Sequence, residues 1–160
     1  MSCPACGLPG DGQGPTHAYM SSSPDCWALY GTIMAREYSD RAYWGPHRRL
    51  VDAYAGQHSI GEDRRARQSL WMHMAGLMLH FEDDWPDDRI VDFLRRAARS
   101  EDFAPLVMPE ASLGLTVEAV AAAPDPETHA KEVARYARAV FDAWSPHHAA
   151  FRGLIQRVTA

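Results

Sequence analysis

All three cysteines of the 160-residue chain fall in its opening stretch, CPACGLPGDGQGPTHAYMSSSPDCW. Residues 1–23 are rich in Gly, Pro, Ser and Cys and fit neither the 3.6-residue nor the two-residue apolar period, so they cannot order themselves by burying one face. Something else has to hold them. Cys3-Pro4-Ala5-Cys6-Gly7 has the C-x-x-C-G form of a zinc knuckle. Two thiolates at that spacing reach one ion, and the glycine lets the chain turn behind them. Cys26 supplies a third sulfur, in the first turn of the first predicted helix, where free N–H groups and the helix dipole favour a thiolate. His17 lies inside the loop between Cys6 and Cys26 and is the expected fourth ligand, with His47 or a water as the alternatives. Cys3, Cys6, His17 and Cys26 then form a closed Cys3His zinc site. Such a site is structural, and its binding energy becomes folding energy for the leader. The competing readings are a redox pair or disulfide at Cys3 and Cys6, and a small buried residue at Cys26. Redox C-x-x-C motifs follow a strand, and none is expected here.

From Ser23 onward the pattern is helical. Ser23-Pro24 reads as an N-cap followed by proline at the first helical position, and Trp27, Tyr30, Met34 and Tyr38 follow at helical spacing. Pro46 opens a second helix, with Val51, Tyr54 and Ala55 spaced for one face, and Gly56 with the HSIG that follows suggests its end. A third helix is expected from Glu62 to Asp83, apolar on nearly all sides between Ser69 and Phe81, which marks a helix buried in a bundle. Trp85-Pro86 begins a fourth, with Asp87 and Asp88 at its positive end. A loop from Ser100 to Leu115 follows, then a short helical turn from Thr116 through Ala122. A long helix runs from Asp125-Pro126 to about Trp144, and Ser145-Pro146 kinks it or begins a last one ending near Val158. No segment alternates as a strand does. The expected fold is an all-α single domain, 1–160: a zinc-stabilised N-terminal loop, 1–23, on a helical bundle, 24–160.

A formal net charge of -5 provides no overall field to hold a polyanion, so nucleic acid is not the expected partner. The longest apolar run, Leu70 to Phe81, contains two histidines and is too short to span a bilayer. Nothing at the N-terminus resembles a signal peptide, and the expected location is cytoplasmic. The runs RRAR at Arg64–Arg67 and RRAAR at Arg95–Arg99 lie next to acidic residues and read as solvated faces.

Eight histidines are many for this length. His47, Val51, Tyr54 and His58 follow one stripe of the second helix. Eleven residues at ~1.5 Å rise separate its two imidazoles by about 16 Å, so they serve different partners. His73 shares a line with Leu70, Leu77 and His80 and is either a satisfied core residue or the wall of a cavity. His47 and His147 each follow a proline at a helix start, where the ring stays neutral and suits a base or a ligand. Tyr54 is a proton donor at a cavity wall or plain core. Asp52, four residues from Arg48, reads as a surface ion pair.

The segments CPACG, HAYMSSSPDCWALYGTIMAREY, HRRLVDAYAGQH and WSPHHAAFR resemble a family of small bacterial proteins known as a domain of unknown function. The resemblance implies a recurring domain and carries no catalytic residue with it. Two functions remain in view. One is a small-molecule enzyme in which His47, Tyr54, His58, His73 and His147 converge on a pocket for acid–base chemistry or a second metal. The other is a non-catalytic binding or regulatory module whose zinc knuckle docks a protein or nucleic-acid partner.

Overall fold

The computed structural model describes residues 1–99 and 103–160. Among them are seven α-helices and no strand. In chain order they are α1 (Pro24–Ser39), α2 (His47–His58), α3 (Arg64–Phe81), α4 (Asp87–Ala97), α5 (Glu118–Ala121), α6 (Pro126–Ala143) and α7 (His148–Thr159). The expected loop from Ser100 begins outside the described residues; from Phe103 it runs irregularly to a 3₁₀ turn at Glu110–Ser112. Ser145-Pro146 does not kink α6 but opens a 3₁₀ turn, Ser145–His147, that leads into α7.

Side-chain caps set three of the helix starts. Ser23 accepts from the Cys26 N–H, Asp63 from that of Ala66 and Asp125 from that of Thr128, each satisfying a donor that the first turn leaves free. Pro24 and Pro126 sit at the first helical positions, where no N–H is needed. α2 is the centre of the bundle, packed chiefly on α3 and α6, while α3 also meets α7 and α4. Accordingly α2 is buried continuously from Asp52 to His58; Gly56 packs against Met74, and the helix ends at His58, the first residue of the HSIG segment expected to close it.

The buried stripe of α1 shares Tyr30 with the expected one but replaces its other three members, Trp27, Met34 and Tyr38. Cys26, Tyr30, Ile33 and Glu37 face inward, and Tyr38 is 70% exposed. The inward register is set by the cysteine at one end and by a carboxylate at the other, neither of which an apolar count would choose. Asp52 also departs from expectation. It is buried at 2% exposure, where it accepts from both the Nε–H and an Nη–H of Arg48 and from His73. Gly76 of α3 makes the room: a Cβ there would stand 3.0 Å from an Asp52 carboxylate oxygen. Gln57, fully buried, ties three segments together. Its amide donates to the carbonyls of Ser112 and Leu115, and its Oε1 accepts from the Tyr136 hydroxyl at 2.6 Å.

Candidate metal centre

The leader folds as a small knuckle over the start of α1. The Cys3 N–H donates to the Leu8 carbonyl, the Gly7 N–H donates to the Cys3 carbonyl, and Ser2 bridges Pro9. Gly7 closes the turn at φ +81°, a conformation that L side chains resist. The knuckle docks on the rest of the chain through its backbone. The Cys6 carbonyl accepts from the Gly114 N–H at 2.7 Å, and the Ala5 carbonyl faces the buried Ser112 hydroxyl. Cys3, Ala5, Cys6 and Leu8 are thereby buried in the main core.

Cys3, Cys6, Cys26 and His58 converge there, with one ligand atom from each lying within 4.8 Å of all the others. It is the one such group among the described residues. The Cys6 and Cys26 sulfurs are 3.7 Å apart, far beyond a disulfide bond, and all three cysteines are free. A tetrahedral ion with metal–sulfur bonds of ~2.3 Å sets its sulfurs about 3.8 Å apart, so the spacing fits. The imidazole fits as well. His58 Nδ1–H donates to the Tyr54 carbonyl at 2.8 Å, which leaves Nε2 unprotonated, and Nε2 faces Cys26 Sγ at 3.3 Å. A second-sphere carbonyl that fixes the tautomer in this way is what a ligating histidine requires.

Packing holds the imidazole in place. Its ring stacks on Tyr54 at 3.9 Å, and Tyr54 stacks on Tyr30 at 3.8 Å. The Tyr54 hydroxyl lies 2.8 Å from Ser22 Oγ and 3.3 Å from Cys26 Sγ. Burial and the neighbouring Cys26 hold its pKa above the ordinary range. The sulfurs cannot all carry charge unaided. Cys3 takes the thiolate, its pKa lowered by hydrogen bonding from Cys26 and Cys6. Cys6 is drawn down by Cys26, but Cys3 and burial outweigh this and push it up to about 11. Cys26 is raised by Cys3, by Cys6 and by burial. None of the four side chains is more than 1% exposed, so the group is closed to solvent.

His58 thus stands where the sequence reading put His17. The structure places His17 outside the cluster, its Nδ1 accepting from the Tyr19 N–H and its ring edge-on to Tyr19 and Trp27. Nothing near Cys26 in sequence announces His58. Its one signal is the i, i+4 pairing with Tyr54 at the end of the stripe that is buried.

The remaining histidines do not share a cavity. His47 Nδ1 lies 2.6 Å from the buried Glu37, whose other oxygen accepts from His129 Nε2 at 2.8 Å. Arg36 donates to His129 Nδ1, which fixes that ring as a neutral bridge. No motif or spacing in the sequence marks Glu37 or His129 as partners. His147 donates to the Val107 carbonyl, and His148 donates to the Phe141 carbonyl while stacking on the Phe141 ring. Burial and the Arg49 guanidinium, whose Nε–H points at the ring, lower the pKa of His80. His73 is not in the core: its side chain is 22% exposed and opens on a cleft. Of the five residues expected to converge, Tyr54 and His58 meet at the cysteine cluster, while His47, His73 and His147 pair separately with Glu37, Asp52 and the Val107 carbonyl.

No helix among the described residues is long and apolar enough to cross a membrane. Neither the curated proteins nor the solved structures include a match to the chain. The profile of a family described as a family of unknown function, DUF5946, matches residues 1–145. The chain belongs to that family.

Proposed function

We propose that this member of a family of unknown function is a zinc-binding helical protein whose ion, held by Cys3, Cys6, Cys26 and His58, joins the leader to the bundle. The observation that carries the reading is the His58 tautomer: Nδ1–H is spent on a carbonyl and the bare Nε2 is aimed among three sulfurs. Three sulfurs and a nitrogen in tetrahedral reach suit zinc, and four protein ligands leave no open position for substrate. The ion's role is structural. Three unpaired thiols held in this way also suit a reducing compartment, which supports a cytoplasmic location. Metal analysis of protein purified without added chelator tests the proposal, with one zinc per chain expected. Protein that is folded and metal-free, or that holds iron with a sulfur-to-iron charge-transfer band, overturns it.

A second reading, a small-molecule enzyme using histidine acid–base chemistry, keeps one observation in its favour. His73 combines a nitrogen held by a buried carboxylate with a place in the wall of a cleft. The test is retention of turnover by Cys-ligand variants that still fold and its loss in His73→Gln.

A further inference from the structure

One cleft brings a positioned imidazole and a cation without a carboxylate partner onto the same face of α3. It has a volume of about 350 Å³ and is lined by Tyr19, Arg65, Gln68, Ser69, Met72 and His73. Behind it, Asp52 Oδ1 lies 2.7 Å from His73 Nδ1, while an Arg48 nitrogen is farther away at 3.4 Å. The shorter contact assigns the Nδ1 proton to the carboxylate. Arg48 neutralises that carboxylate from its other side. Nε2 of His73 is then an acceptor, and it has no protein partner among the described residues. Gly76 is part of the same arrangement, because a Cβ there would stand 3.0 Å from Asp52 Oδ2 and crowd the carboxylate that holds His73.

At the other end of the cleft, Arg65 lies over the Tyr19 ring at 4.7 Å and donates to the Tyr19 hydroxyl. No carboxylate of the described residues pairs with Arg65. Accepting from Arg65 leaves the Tyr19 hydroxyl with its own proton to donate. Arg65 and His73 are eight residues apart on one helix, ~12 Å along the axis, and the arginine side chain covers part of that span. Met72 gives the cleft an apolar floor between them.

The geometry points to a binding site for a small organic acid: a carboxylate held by Arg65 and Tyr19, an apolar body over Met72, and a hydroxyl donating to His73 Nε2. A planar fork matches a carboxylate better than it matches a lone hydroxyl or an amine, and a neutral imidazole acceptor selects a ligand that ends in a donor. This deepens the histidine reading above and does not depend on the ion. Asp52 is a positioning residue that fixes the imidazole tautomer.

The probe is 4-hydroxybenzoate, titrated into the full chain labelled at its histidine rings, with benzoate and inorganic phosphate in parallel and zinc content measured on every sample. The His73 ring signals, assigned by their loss in His73→Gln, are expected to shift saturably with 4-hydroxybenzoate. Benzoate, lacking the donor, is expected to bind about tenfold more weakly, the equivalent of one good hydrogen bond. Arg65→Met, on an exposed side chain, should abolish both titrations at unchanged zinc content and melting temperature. In His73→Gln, where the ring signal is gone and binding is read by titration calorimetry, the two affinities should come together. Unmoved His73 signals at millimolar 4-hydroxybenzoate, titration surviving in Arg65→Met, or phosphate displacing the carboxylates at equal concentration each overturn the proposal. A chain without zinc that still shows the shift refutes the metal reading and leaves this one standing.

Discussion

At the scale of single residues, the identity of the fourth ligand separates two histidines that the sequence does not distinguish. Loss of an outer-sphere partner costs a metal site roughly 10–100-fold in affinity, so loss of a ligand should cost more. His58→Ala is therefore expected to weaken zinc binding by more than about 100-fold in competition with a chromophoric chelator, whereas His17→Ala should leave it unchanged. Tyr54→Phe removes only the hydroxyl beside Cys26 and should fall near the lower end, about tenfold. Equal losses in the two histidine variants would sink the assignment. The three sulfurs were readable because their spacing is local or capped by a helix start. His58 was not readable, because thirty-two residues separate it from Cys26 and only the packing of α2 against α1 brings them together. The same blindness hid Glu37: a charged residue in the inward stripe makes sense only once His47 and His129 are seen on either side of it.

At the scale of elements, helix starts were the most legible feature, since Ser23-Pro24 and Asp125-Pro126 act through bonds within one turn. Facing was less legible, because α1 buries Cys26, Ile33 and Glu37 where the apolar spacing selects Trp27, Met34 and Tyr38. Those outcomes depend on neighbours. Ser23→Ala should cost about 1 kcal/mol in denaturant unfolding, the usual worth of a lost cap. It should also weaken metal binding, since the bond it removes is to the Cys26 N–H. Gly76 gives a sharper test of packing. On helix propensity alone Gly76→Ala would stabilise α3 by roughly 1 kcal/mol. The 3.0 Å approach of a Cβ to the Asp52 carboxylate predicts the opposite sign, a loss of roughly 1–3 kcal/mol typical of overpacking. Both variants are read from urea midpoints at unchanged slope; a Gly76→Ala chain more stable than the parent would show that Asp52 does not press on α3.

At the scale of the whole molecule, the knuckle, α1 and α2 converge on the four-residue cluster, and the knuckle also holds Ser112 and Gly114 through its backbone, so metal binding is linked to the stability of the whole fold. The direction of its pH dependence follows from the sulfurs. Without an ion Cys3 is the thiolate, Cys6 is pushed up to about 11 and Cys26 is raised as well, so near neutrality two thiols carry protons that zinc must displace. Two protons released per ion mean that the apparent affinity falls about 100-fold for each pH unit lost. Because an ion that binds only the folded chain stabilises it by mass action, the melting temperature at fixed zinc should fall with pH in step with that affinity. A chelator competition between pH 6.5 and 8 is the measurement, and its logarithmic slope gives the proton count directly. A slope near two is expected in the parent chain. Cys26→Ser should reduce it toward one, since it deletes one of the two protonated sulfurs, while a slope near zero in the parent would mean that all three thiols are ionised beforehand and that the burial of this cluster does not hold its charge at one.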